Sequence, residues 1–81
     1  MNRMRAESLY YYDHAVTDLI MEKYGYNRMD ALRAFSDSET HAMLEDLDYG
    51  FSMFGAPGIF DIWEAEKVTG DPRNSVYIRG E

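Results

Sequence analysis

The sequence predicts an all-α protein, a compact four-helix domain with short connectors and an extended C-terminal tail. Three observations carry that expectation. Apolar residues recur at steps of three and four along most of the chain. The junctions between those runs hold helix-start and helix-stop residues. Residues of β character gather only at the end, in Val76-Tyr77-Ile78.

The first helix is expected over 7–24. Leu9, Tyr12, Val16, Leu19, Ile20 and Tyr24 share one broad face, and Gly25 fits the left-handed position that closes a helix. Successive residues turn by about 100°, so the Tyr10-Tyr11-Tyr12 run cannot be buried together. Tyr12 belongs inside. Tyr10 and Tyr11 either cover apolar flanks with their hydroxyls in water or form a partner-binding surface. The second helix is expected over 27–35, with Asn27 as N-cap, Asp30 three residues on, and a stripe of Met29, Leu32 and Phe35 flanked by Ala31 and Ala34. The third is expected over 37–48. Ser36-Asp37-Ser38-Glu39 reads as a capping box, Thr40, Met43, Leu44 and Leu47 carry the inward stripe, and Gly50 closes the helix. That placement puts Glu45, Asp46 and Asp48 at a helix C-terminus, where the macrodipole opposes acids. Phe51–Phe54 is an aromatic connector that plugs the end of the helix pack. The fourth helix is expected over 57–69, with Pro57 at its first position and an apolar face of Ile59, Phe60, Ile62, Trp63 and Val68. Gly58, so early in that helix, points to a close approach to its backbone. Residues 1–6 are expected to fray and 71–81 to form the tail.

A chain of 81 residues forms one domain and has to build its core without cysteines. Its apolar fraction of 46% supplies enough material for that core. The core residues are expected to be Leu9, Tyr12, Val16, Leu19, Ile20, Met29, Leu32, Phe35, Met43, Leu44, Leu47, Phe51, Phe54, Ile59, Phe60, Ile62 and Trp63. A net charge of −7 argues against direct nucleic-acid binding, which needs clustered Lys and Arg, and against an anionic membrane. No apolar run is long enough to span a bilayer, and the N-terminus lacks the apolar core of a secretory signal. Between Ala34 and Glu66 stand eight acids and no Lys or Arg. Such an interval suits a basic protein partner, or it simply keeps the chain in solution.

Few constellations could carry chemistry. His14 and Asp18, and His41 and Glu45, are i, i+4 pairs, each able to offer two ligands of a metal site or to form a surface hydrogen bond. The Asp46-Leu47-Asp48-Tyr49-Gly50 run lacks the third acid, the sixth-position glycine and the distal Glu of a calcium loop. Glu64 and Glu66 point to different sides of a helix. Gly55-Ala56-Pro57-Gly58 lacks the lysine and hydroxyl of a phosphate loop. The serines read as caps, turns and connectors. No enzyme, metal or cofactor is needed to explain these residues.

Ala31, Leu32, Phe35, Ser38, Thr40, Leu44, Asp46, Gly50, Phe51, Pro57, Ile59, Phe60 and Glu64 set an order of motifs. In that order the chain resembles a family of small uncharacterised bacterial helical proteins, over roughly Asp18 to Glu66. The spacing in Gly50–Gly58 and the long final tail depart from the pattern. Members of that family are often encoded beside toxin-like genes, so the resemblance implies an antitoxin-like or regulatory partner role.

The function expected is a non-enzymatic, cytoplasmic protein-interaction module, binding a protein partner or its own copy as a homodimer. Its partner-binding residues would be Tyr10, Tyr11, Glu45, Asp46, Asp48, Tyr49 and Phe54. The second expectation is an acidic inhibitor imitating nucleic acid through Glu39, Glu45, Asp46, Asp48, Asp61, Glu64 and Glu66. The third is a metal-dependent enzyme using His14 or His41.

Overall fold

Glu7 in the first turn and Gly25 at the end bound the longest element of the computed structural model, which describes residues 2–80. This helix, α1, runs Ala6–Tyr24. Gly25 takes φ 73°, and its N–H closes onto the Met21 carbonyl. Tyr12, Val16 and Ile20, one turn apart, form its buried spine. Thr17 is buried beside them. Helix α2 spans Arg28–Ser36, and the Asn27 side chain accepts from the Asp30 N–H at 2.8 Å, the cap its sequence announces.

The buried face of α2 differs from the expected stripe. Ala31 and Phe35 are inside, whereas Met29 is 64% and Leu32 38% exposed. Ala31 and Phe35 lie four residues apart on the inward face, which leaves Met29 on the opposite side of the helix and Leu32 on its flank.

Helix α3, Glu39–Glu45, is shorter than expected at both ends. Ser38 caps it in place of Ser36, accepting from the His41 N–H at 3.1 Å. No capping box forms. Glu66, 26 residues beyond Thr40, takes the Glu39 and Thr40 N–H groups at 2.9 and 2.8 Å and the Thr40 hydroxyl at 2.6 Å. The helix ends because the N-terminal segment pairs with it. The Met4 N–H donates to the Glu45 carbonyl at 2.7 Å, and the Leu47 N–H donates to the Asn2 carbonyl at 3.0 Å. Asp46 therefore becomes extended, in an isolated antiparallel bridge with Arg3. Residues 47–49 form a 3₁₀ turn closed by Gly50, and Leu47 is 40% exposed. Asn2 to Arg5 are thus docked, with Met4 buried, where fraying was expected.

A second 3₁₀ turn, Phe51–Phe54, leads into α4, Gly55–Thr69. Gly55 enters at φ 72°, ψ 171°, a conformation open to glycine, and so the helix begins two residues before Pro57. Ala56, Gly58, Ile59, Ile62 and Trp63 are buried, and Val68, assigned to the same face, is exposed. Helix α4 is the hub of the fold, in contact with α1, α3 and everything that follows it.

The tail is helical. Asp71 caps a 3₁₀ turn at Pro72–Asn74, and Ser75 caps a short helix α5, Val76–Arg79. Ser75 is buried and donates to Asp61 Oδ2 at 2.7 Å, which pins this unit onto α4. The β-forming side chains do not set the backbone here, because two side-chain caps satisfy its N–H groups locally. Met1 and Glu81, the outer ends of the expected fraying and tail, lie outside the described residues.

The all-α class holds. Among the described residues there are five α-helices, four of them seven residues or longer, and no strand. Leu9, Leu19, Phe54 and Phe60, expected in the core, sit at its edge and are partly buried. No helix among these residues is long and apolar enough to cross a membrane.

Candidate interaction surface

The residues expected to form one partner-binding patch divide into four places. Glu45 faces inward to His41 and outward to Arg3, whose Nη1 lies 3.2 Å from Oε2. Asp46 accepts the Asp48 N–H at 3.0 Å, and Asp48 Oδ1 accepts from the Asn2 amide at 3.3 Å. Glu45 stands at the C-terminal end of α3 as expected, whereas Asp46 and Asp48 lie past that end and hold a turn and the N-terminal segment. Phe54 lies in a ring-to-ring run from Phe51 to Tyr77 with centroids 5.8 and 5.6 Å apart, half-buried. Tyr10 stands over the groove between α1 and α2, its ring 4.4 Å from that of His14.

Tyr11 and Tyr49 remain as exposed aromatics on the side of the 47–53 connector. An open groove of about 570 Å³ runs between that connector and the first turns of α1, lined by Met4, Arg5, Glu7, Ser8, Tyr11, Tyr12, Leu47 and Ser52. The Tyr12 hydroxyl donates to the Ser52 carbonyl at 2.8 Å and fixes the connector to α1. Burial, and then the neighbouring Tyr11, push the Tyr12 phenol above its ordinary pKa, so it stays a donor. Leu47, Tyr49 and Met53 expose apolar surface along the connector, Met53 to 80%.

His41 is the titratable side chain that sequence reasoning misplaced. The i, i+4 spacing with Glu45 is real, with Nδ1 to Oε1 at 3.1 Å. The spacing gave no sign of Asp13, which meets Nε2 from α1 at 2.7 Å. The imidazole is buried edge-on to Phe35, with ring centroids 5.0 Å apart. A neutral ring donates to one of these carboxylates, and an imidazolium donates to both. Both nitrogens are engaged, so neither is offered to a substrate. The other expected pair does not form, because Asp18 binds Arg28 at 3.0 Å instead of His14. Among the described residues, no three His, Asp or Glu side chains converge as a metal site.

Comparisons with protein-family models, curated proteins and solved structures found no match to this chain.

Proposed function

We propose that the chain is a non-enzymatic protein-interaction module whose contact face is the groove between α1 and the 47–53 connector. The observation that carries this reading is the apolar set around that groove. Tyr11 and Leu47 line it and are exposed, and Tyr49 and Met53 are exposed on the same connector, which the Tyr12 hydroxyl ties to α1. Tyrosine at the centre of a desolvated contact contributes binding energy at low entropic cost. Glu7 in the groove lining, Asp48 on the connector and the net charge of −7 favour a basic partner segment. An antitoxin-like or regulatory role in the bacterial cytoplasm is the form suggested by the family resemblance, and the absence of cysteine accords with a reducing compartment.

The acidic-inhibitor reading has less in its favour. Phosphate imitation needs carboxylates turned to solvent. Glu39 pairs with Arg73, Glu45 with Arg3 and His41, Asp61 with Ser75, Glu64 with Lys23 and Tyr24, and Glu66 with the start of α3.

The test is affinity capture from native-host lysate with the wild type and with a Tyr11→Ser, Tyr49→Ser variant of unchanged circular dichroism. The wild type is expected to retain a basic protein, and the variant to lose at least about tenfold of that binding, the effect of one or two interface anchors. A wild type that stays monomeric and captures nothing would sink the proposal. So would equal capture by the two proteins.

A further inference from the structure

A second, smaller pocket lies between α1 and α2, separate from the proposed contact face. It is lined by Tyr10, Asp13, His14, Thr17, Arg28 and Leu32, with a volume of about 150 Å³. That is the size of cavity that holds one benzene ring. Tyr10, His14 and Leu32 supply apolar and aromatic walls. The charged groups are already positioned: Arg28 is held by Asp18 at 3.0 Å, and Asp13 Oδ1 by His41 at 2.7 Å. Thr17, fully buried in the wall, has a hydroxyl without any hydrogen-bond partner. Buried side-chain hydroxyls are normally paired, and this one is the exception among the described residues. Threonine in a helix has two accessible χ1 rotamers, so the hydroxyl can turn towards a guest. Tyr10 and Leu32 lie exposed over the same opening, where a guest would cover them.

We infer that this pocket is a binding site for a small, neutral, monocyclic aromatic bearing one hydroxyl, a ligand of the phenol class. The ring fills the space beside Tyr10, His14 and Leu32. Its hydroxyl donates to the Asp13 carboxylate and accepts from Thr17. An aromatic carboxylate is disfavoured by Asp13, because the balancing charge of Arg28 is already taken by Asp18. A bare hydrocarbon leaves the Thr17 hydroxyl as unsatisfied as it is in the empty pocket.

The test is a titration followed by amide and methyl NMR shifts, with phenol as probe and toluene as its hydroxyl-free counterpart. Wild type is expected to bind phenol saturably, with shifts centred on Tyr10, Thr17, Arg28 and Leu32, and to bind toluene more weakly. In Thr17→Val the phenol affinity should fall roughly two- to tenfold, the effect of one net hydrogen bond, while toluene binding is kept. Thr17→Ser, which retains the hydroxyl, should restore the preference for phenol. No saturable shift with phenol would overturn the inference. So would equal binding of the two probes by wild type, or an undiminished preference for phenol in Thr17→Val.

Discussion

Glu66 reaches from α4 to the start of α3, where its carboxylate accepts from two backbone N–H groups and one hydroxyl. Those N–H groups are orphans of the first turn, and a negative charge also suits that end of the dipole. Glu66→Ala is therefore expected to cost about 2 kcal/mol, read as a shift in urea midpoint, and Glu66→Gln roughly half of that. A loss below a few tenths of a kcal/mol would show that water caps α3 equally well. The sequence put this cap on Ser36 and Glu39 because local spacing is all a capping motif records. A donor and acceptor 26 residues apart leave no such trace. Thr17 gives a prediction of opposite sign. Replacing its unpaired hydroxyl by a methyl in Thr17→Val removes a desolvation cost without opening a cavity, so stability should rise by about 1 kcal/mol. A lower melting temperature would mean that the hydroxyl is satisfied in solution. His41→Ala should do the reverse. It leaves Asp13 without this partner and Glu45 with Arg3 alone, beside a new cavity, for a loss of about 2–4 kcal/mol in denaturant unfolding. A neutral result would make the histidine a spectator.

At the scale of elements, the positions that could be read correctly were those where one residue type fits one backbone need. Gly25 takes the left-handed conformation at the end of α1 and Asn27 caps α2, whereas Gly50 takes it at the end of a 3₁₀ turn and not of α3. Gly58 also belongs here. A Cβ built on it would lie 2.7 Å from Phe54 Cβ and 3.2 Å from Tyr77 Cε1, so the close approach expected from its place early in α4 is real. Alanine normally favours a helix over glycine by about 1 kcal/mol. Here that gain is outweighed by overpacking against a side-chain root that cannot swing away, and Gly58→Ala should destabilise by about 1–3 kcal/mol. Hydrogen exchange in α5 should rise more than in α1, because Tyr77 is the neighbour displaced. A stabilised Gly58→Ala protein would argue that α5 does not pack on α4. Legibility failed where pairing across the chain decided the outcome. Helix α2 packs on α1 with Ala31 and Phe35 buried and Met29 and Leu32 outside, and α3 stopped where residues 2–5 took over its last carbonyl. Neither partner is visible within a helical window. The expected interface was dispersed for the same reason, since Glu45, Asp46 and Asp48 were bound to a terminus thought to be loose.

The whole molecule is a flattened body of 33 × 30 × 18 Å, about two helices thick, with α4 at its centre. A body so thin cannot enclose much, and part of its cohesion is carried at the margin by aromatic and charged side chains together. Around the end of α1, Lys67 Nζ lies 5.3, 5.6 and 5.9 Å from the ring centroids of Tyr24, Tyr26 and Trp63. Glu64 Oε2 accepts from the Tyr24 hydroxyl and from Lys23, each at 2.6 Å. Burial alone would raise the Glu64 pKa, but the bonds from Lys23 and Tyr24 outweigh it and lower it from 4.5. Its contribution is therefore present above 4.5 and is lost as the pH falls through its lower folded value. On the alkaline side, the bond to Glu64 and then burial push the Tyr24 phenol from 10.0 to about 12. The folded state prefers the neutral phenol, so that contribution is complete below pH 10.0 and disappears as the pH climbs to about 12. One bond thus shapes both limbs of the stability profile. Glu64→Gln keeps an acceptor for Tyr24 but removes the charge. The stability lost between neutral pH and pH values below 4.5 should shrink, and the tyrosinate absorbance assigned to Tyr24, by difference from Tyr24→Phe, should appear nearer to 10.0. Urea unfolding across the acid range measures the first and an alkaline absorbance titration the second. If both limbs in Glu64→Gln superimpose on those of wild type, the margin of α1 and α4 is held by the cation–ring contacts and not by this carboxylate.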